Sequence, residues 1–341
     1  MGDSKLILLA ATAALLFTIA AAQAQDDAAL AAEASARAHG PPKPWKSVRG
    51  LGRVLDLTKL PIVIDEPGLY AIDRNWELLP KAANLVPGMI EITADNVTLD
   101  LHGFTISADP GVGTLLVTTG LAGEIEIRNG GIAACCSDGG VAIGITSPRG
   151  ARLHHLSVFS YDRMTFEGGT SFTDSDIRVR VGMQFTANGA SLQRNSIDCN
   201  RGRCATFIGD DNRVTDNKMI PYQGGVIRFE GDGNIVVNNV IDASNAIDVL
   251  EWVFVKGDSN VLRANTVLLG GFVGEPIFSI NGTANTLDGN IAASPFLGFR
   301  APVGMEFTAD GNFYGNNRMA AQMPFALGGT TQTNWGGNVG Y

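Results

Sequence analysis

Gly209-Asp-Asp-Asn212-Arg-Val-Thr-Asp-Asn217 decides the fold, because it comes back. It returns as Gly231-Asp-Gly-Asn234-Ile-Val-Val-Asn-Asn239 and as Gly257-Asp-Ser-Asn260-Val-Leu-Arg-Ala-Asn265. Gly282-Thr-Ala-Asn285-Thr-Leu-Asp-Gly-Asn290 and Asp310-Gly-Asn312-Phe-Tyr-Gly-Asn-Asn317 follow. In every copy two asparagines stand five residues apart. The second recurs at 217, 239, 265, 290 and 317, in steps of 22, 26, 25 and 27. Asn195 continues the series upstream and Asn129 fits an earlier turn, with Leu156 and Ser175 in the matching place where asparagine is missing. A period of this size means a solenoid.

Leucine at fixed spacing is absent, which excludes leucine-rich repeats, and no amphipathic run is long enough for helical repeats. Apolar residues instead alternate over four to six positions, the pattern of short strands. An asparagine turned inward at a bend can both donate to and accept from backbone groups that the bend leaves unpaired, and it tolerates left-handed backbone angles. Stacked about 4.8 Å apart, one per rung, such amides bond to each other as a ladder. Inward columns align at constant offset from the asparagine: Met183/Phe185, Ala205/Phe207, Ile227/Phe229, Val253/Val255, Phe278/Ile280 and Met305/Phe307. The reading is an all-β, right-handed single-stranded parallel β-helix of about ten rungs.

Composition agrees. The 341 residues are 45% hydrophobic, only 7% aromatic, and include 42 glycines, which suits many short strands joined by tight turns. The net charge of −9 argues against a nucleic-acid partner, which needs a basic stripe. Residues 1–24 read as a signal peptide: Lys5, an apolar run from Leu6 to Ala22, then Ala22-Gln23-Ala24. Its removal leaves no membrane span and implies a secreted or periplasmic protein. Residues 25–46 are an Ala/Pro-rich linker, 47–87 an N-terminal cap, 88–320 the coil and 321–341 a tail. In an oxidising compartment Cys199 and Cys204, flanking a short loop, are expected to bridge; the pairing of Cys135 and Cys136 stays open.

Pro67-Gly-Leu-Tyr70, then Ile90-Glu-Ile-Thr-Ala-Asp-Asn-Val-Thr-Leu-Asp-Leu-His-Gly-Phe-Thr-Ile106, then Ile125-Glu-Ile-Arg-Asn-Gly-Gly-Ile132 resembles the opening of bacterial right-handed β-helix proteins of the pectin-lyase-like superfamily. The resemblance covers about residues 50–320. It implies the fold, and a first sheet along which sugar chains lie in the enzymes of that superfamily. It does not imply one activity.

Strand alternation places Arg163, Gln184, Arg228, Glu230, Trp252, Phe254 and Lys256 outward on that sheet, with Tyr222 in a neighbouring loop. Arg163, Gln184, Tyr222, Trp252 and Phe254 are the expected glycan contacts. Arg228, Glu230 and Lys256 are the candidates for catalysis: a lyase needs a base and cations for its enolate, and a hydrolase needs two carboxylates. Asp242 and Glu251 are candidate Ca2+ ligands. The competing explanation for Arg228, Glu230 and Lys256 is a salt-bridge ladder. The Asp-Pro-His-Asp motif of β-helical mannuronan epimerases is absent, as are pectate-lyase motifs. Two functions therefore stand: a carbohydrate-active lyase or hydrolase, and a non-catalytic binding or structural β-helix protein. His154 and His155 sit on a second-sheet strand whose alternation sends one inward, so they are read as structural, as is His102.

Overall fold

The computed structural model describes residues 52–56, 61–78, 88–108, 114–119, 123–134, 141–246, 248–270, 272–273, 276–293 and 301–340. The expected signal peptide, the linker and Cys135/Cys136 lie outside the described residues. All 35 strands join one parallel network, and no helix occurs among the described residues. The chain winds as a three-sided coil in which each strand pairs with the strand one turn later. On the first face Met183 pairs with Ala205, Ala205 with Ile227, Ile227 with Val253, Val253 with Phe278 and Phe278 with Met305. The second face runs through Arg213–Thr215, Ile235–Val237 and Val261–Arg263. The third runs through Asp176–Val179, Ser196–Arg201 and Val240–Ala243.

The two ends extend this pattern. Strands Ile62–Ile64 and Gly68–Ala71 pair in parallel with Gly88–Ile92 and Val97–Asp100, so the rung pattern runs back into the segment expected as a cap. Residues 321–340, expected as a tail, form another rung: Ala321–Ala326, Thr333–Asn334 and Val339–Gly340 each pair in parallel with the turn before.

All twelve side chains of the expected inward columns are buried. Phe166, one rung before them, begins a stack that runs on through Phe185, Phe207 and Phe229, with ring centroids 4.8, 4.6 and 4.9 Å apart. That spacing is the distance between hydrogen-bonded strands, so the backbone ladder sets the ring stack.

The asparagines form two ladders where one was expected. In the first, the Oδ1 atoms of Asn212, Asn234, Asn260, Asn285 and Asn312 each accept the backbone N–H of the ladder residue one rung earlier. In the second, Asn195, Asn217, Asn239, Asn265, Asn290 and Asn317 do the same. Gln332 and Asn338 end the two series. Asn129 is a correction. Gly130 pairs with Leu156, so Asn129 falls one residue early, sits exposed at φ 59° and bonds to Asp100 instead.

The left-handed backbone also lies elsewhere than expected. It belongs to the residue before each ladder asparagine, as at Arg194 (φ 52°), Asp216 (58°), Asn238 (57°), Ala264 (54°) and Ala284 (55°). The sharp corner is made there, and the asparagine then turns in. Ala264 is exposed, so its methyl group gains little from packing while it crowds the following carbonyl. Ala264→Gly is expected to raise stability by about 0.5–1 kcal/mol. Urea denaturation checks this, and a lowered midpoint would contradict it.

Cys199 and Cys204 are bridged as expected, with Cα atoms 5.3 Å apart, and both are buried where the third face passes into the first.

Candidate functional site

The outward strip of the first face is ordered by strand register. Gln184, Thr206, Arg228, Phe254, Ser279 and Glu306 follow one another in one lane. Ile208, Glu230, Lys256 and Asn281 make the lane beside it. Arg163 is exposed just before Met164–Glu167, and its guanidinium donates to Gln184 Oε1 at 3.1 Å. Arg228 Nε donates to Glu230 Oε1 at 2.5 Å, and the same guanidinium lies 4.5 Å over the Phe254 ring on the next rung. Arg228, Glu230 and Phe254 are thus one half-buried unit of charge and aromatic surface. Lys256 is exposed opposite Glu230.

Trp252 is a correction. Its side chain is 1% exposed, and its indole N–H is buried with no hydrogen-bond partner among the described residues. Val226/Ile227, Trp252/Val253 and Ile277/Phe278 are each buried as adjacent pairs. The chain is still turning into the first face there, with a register shift between Gly224 and Gly225 on one of these rungs, so alternation starts one residue later than the sequence suggests. Trp252 cannot offer a face to a ligand on this strip.

Tyr222 is half-buried at the passage from the third face to the first, not on the strip. Asp242 lies on the third face, where its carboxylate accepts from Ser244 Oγ at 2.7 Å, while Glu251 belongs to the strand Asp248–Lys256 that enters the first face. Among the described residues no three His, Cys, Asp or Glu side chains converge to hold a metal ion.

A second polar cluster lies on the second face, where the sequence suggested only structure. Asp100 is 5% exposed and accepts from the His102 backbone N–H at 2.9 Å, from Arg128 Nε at 2.8 Å and from Asn129 Nδ2 at 3.1 Å. Arg128 also reaches Glu126, which meets His154 Nε2 at 2.7 Å; His154 Nδ1 is 2.8 Å from His155 Nδ1. The alternation expected for the two histidines fails because His155 holds φ 53° at a corner: Leu153 and Leu156 point in, and both histidines lie outside. Positive φ at a non-glycine residue leaves no trace in an apolar pattern, which is why sequence reasoning missed the pair.

Burial alone would push the Asp100 carboxyl upward; the His102 N–H, Arg128 and Asn129 outweigh it and hold it below the ordinary aspartate value. Glu126 follows the same logic, with burial opposed by His154 and Arg128. Two carboxyls depressed in the folded state stabilise it above their unfolded pKa values and lose that contribution as pH falls through the folded ones. Urea midpoints measured from about pH 5 to about pH 2 are expected to fall, and to fall less in Asp100→Asn. Parallel curves for the two proteins would remove Asp100 from the acid transition.

The coil defines the chain as a parallel β-helix protein. No protein-family profile matches it, and no curated protein matches it either. Among solved structures it is similar to the DFA-IIIase of Arthrobacter chlorophenolicus A6 without its lid, at 15% identity and TM-score 0.53 over 91% of this chain and 88% of that one. It is likewise similar to the complex of that DFA-IIIase with GF2, at 15% identity and TM-score 0.52 over 89% and 87%. At such identity the likeness shows a shared fold. No helix among the described residues is long and apolar enough to cross a membrane.

Proposed function

We propose that this chain is an exported, carbohydrate-binding β-helix protein that holds a glycan along its first face. One observation carries the reading: Arg228, Glu230 and Phe254 form a joined polar and aromatic surface, with Arg163 and Gln184 on earlier rungs and Lys256 beside it. Such a surface offers hydrogen bonds to hydroxyls and a ring face to a sugar. The likeness in fold to a DFA-IIIase solved with GF2 supports a saccharide ligand. The buried disulfide supports export. The mutual engagement of Arg228 and Glu230 favours binding without cleavage, because a base or acid already held in an ion pair is poorly placed to exchange a proton with substrate.

The test is a screen of the purified protein against fructans, pectate, alginate, glycosaminoglycans and neutral glucans, read for binding, unsaturated products and new reducing ends. Phe254→Ala and Arg228→Ala are each expected to weaken binding about tenfold or more, close to 1.4 kcal/mol. Arg213→Ala, exposed on the second face, is expected to bind as wild type. Equal affinity in all three variants would place the ligand elsewhere.

A further inference from the structure

We propose a separate sugar-stacking platform on the outside of the second face, in the last two rungs, formed by Phe313 and Trp335. It does not rest on the first-face reading. Phe313 opens the strand Phe313–Gly315, and Trp335 directly follows Thr333–Asn334 one rung later. Tyr314 pairs with Asn334, so Trp335 falls opposite Gly315. A Cβ on Gly315 would overlap the Trp335 indole at Nε1 and Cδ1. The missing side chain is therefore what lets the indole lie against the sheet. The Phe313 and Trp335 rings are nearly parallel, 18° apart, with centroids separated by 6.2 Å.

Held this closely, the rings are still wet: Trp335 is 48% exposed and Phe313 37%. Every other Phe, Tyr or Trp ring with a described side chain is buried or half-buried. Two neighbouring aromatic rings held in place yet left in water give up burial that would stabilise the fold, and together they offer a surface that a ligand can cover.

Its edge is polar. Asp288 lies opposite Gly315, one rung earlier. Its carboxylate accepts from Asn316 Nδ2 at 2.9 Å and stands 3.8 Å from Arg263 Nε, on a side chain 66% exposed. An aromatic surface bordered by a carboxylate, an amide and a guanidinium matches a ring that is apolar on its faces and hydroxylated around its rim. A pyranose chair with equatorial hydroxyls has that shape: axial C–H groups meet the indole and the hydroxyls reach the Asp288 edge. The Asp288 carboxylate and the Arg263 guanidinium offset one another, so the edge offers hydrogen bonds with no net charge and suits a neutral, equatorially substituted pyranose chain.

Cellohexaose is the probe, titrated into the full exported chain and followed by tryptophan fluorescence and saturation-transfer NMR. Urea midpoints establish that each variant folds. Trp335→Ala and Phe313→Ala are expected to weaken binding at least tenfold, Trp335→Phe to retain part of it, and Val240→Ala, exposed on the third face, to leave it unchanged. The same titration in Trp335→Ala is expected to lose the fluorescence change. Three results would overturn the platform. One is no saturation transfer at about 10 mM cellohexaose, beyond the range of a useful site. Another is binding lost in Phe254→Ala but kept in Trp335→Ala, which would assign the sugar to the first face. The third is a wild-type dimer that Trp335→Ala dissociates, which would make the rings a contact between copies.

Discussion

Phe207→Ala is expected to lower the free energy of unfolding by about 3–5 kcal/mol, measured by urea denaturation. The ring is fully buried between Phe185 and Phe229, at 4.6 and 4.9 Å, with interplanar angles of 6° and 9°. Truncation removes apolar burial and leaves a cavity bounded by two rings that cannot close on it, because each is fixed by its own rung in the backbone ladder. A solenoid also transmits the loss. Each rung touches only its neighbours, so a weak interface in mid-coil lets the two halves melt separately. The variant is therefore expected to show a broadened or two-step transition beside the lower midpoint. Ile208→Ala, one residue on but exposed, is expected to change stability by less than about 0.5 kcal/mol. Similar losses in the two variants would mean that the stacked column is not what holds these rungs.

Asn239→Leu is the second large effect, roughly 3–5 kcal/mol. The amide donates to Val214 O at 2.8 Å, to Val237 O at 3.1 Å and to Asn265 Oδ1 at 3.0 Å. Its Oδ1 accepts from the backbone N–H and the Nδ2 of Asn217, both at 3.0 Å. Leucine fits the volume but answers none of these groups. The Asn217 N–H and the Val214 carbonyl are left buried without their partner, and each such group costs roughly 1–3 kcal/mol. Asn239→Asp is the informative companion: it keeps the accepting oxygen but turns a second acceptor toward Val214 O and Asn265 Oδ1, so it is expected to cost at least as much as leucine. A midpoint unchanged by Asn239→Leu would contradict a buried, bonded ladder.

The coil was legible because it repeats. Offsets from Asn217, Asn239 and Asn265 place the inward columns correctly on six rungs, since alternation within a strand is strict. What failed lies at corners, where φ changes sign or the chain has not yet become a strand. Trp252 was placed on the wrong side for that reason, and so was whichever of His154 and His155 the alternation was expected to send inward. The second ladder carried a readable signal, the fixed spacing of five residues from 212 to 217 and onward, but one ladder asparagine per rung was expected. The last rung escaped because its signature decays: Gln332 replaces asparagine and Asn338 comes six residues later, not five. Trp335, the partner of Phe313, was lost with it. On the first face the candidate residues were legible as outward, but the pairing of Arg228 with Glu230 and its position over Phe254 depend on rotamers that spacing does not encode.

The glycine that opens each repeat carries a further consequence. Gly231 and Gly257 hold φ near 150°, and a methyl group on either would overlap the carbonyl oxygen of the equivalent glycine one turn earlier. The corner is therefore a joint of one shape, repeated at Gly209, Gly231, Gly257 and Gly282. A chain cut at one such joint and rejoined at the next meets the same geometry on both sides. Lineages of this protein can then change length by whole turns, by in-frame duplication or loss between glycines. A fractional change would misalign the asparagines and the apolar columns together. The molecule is a ruler whose length is counted in integers.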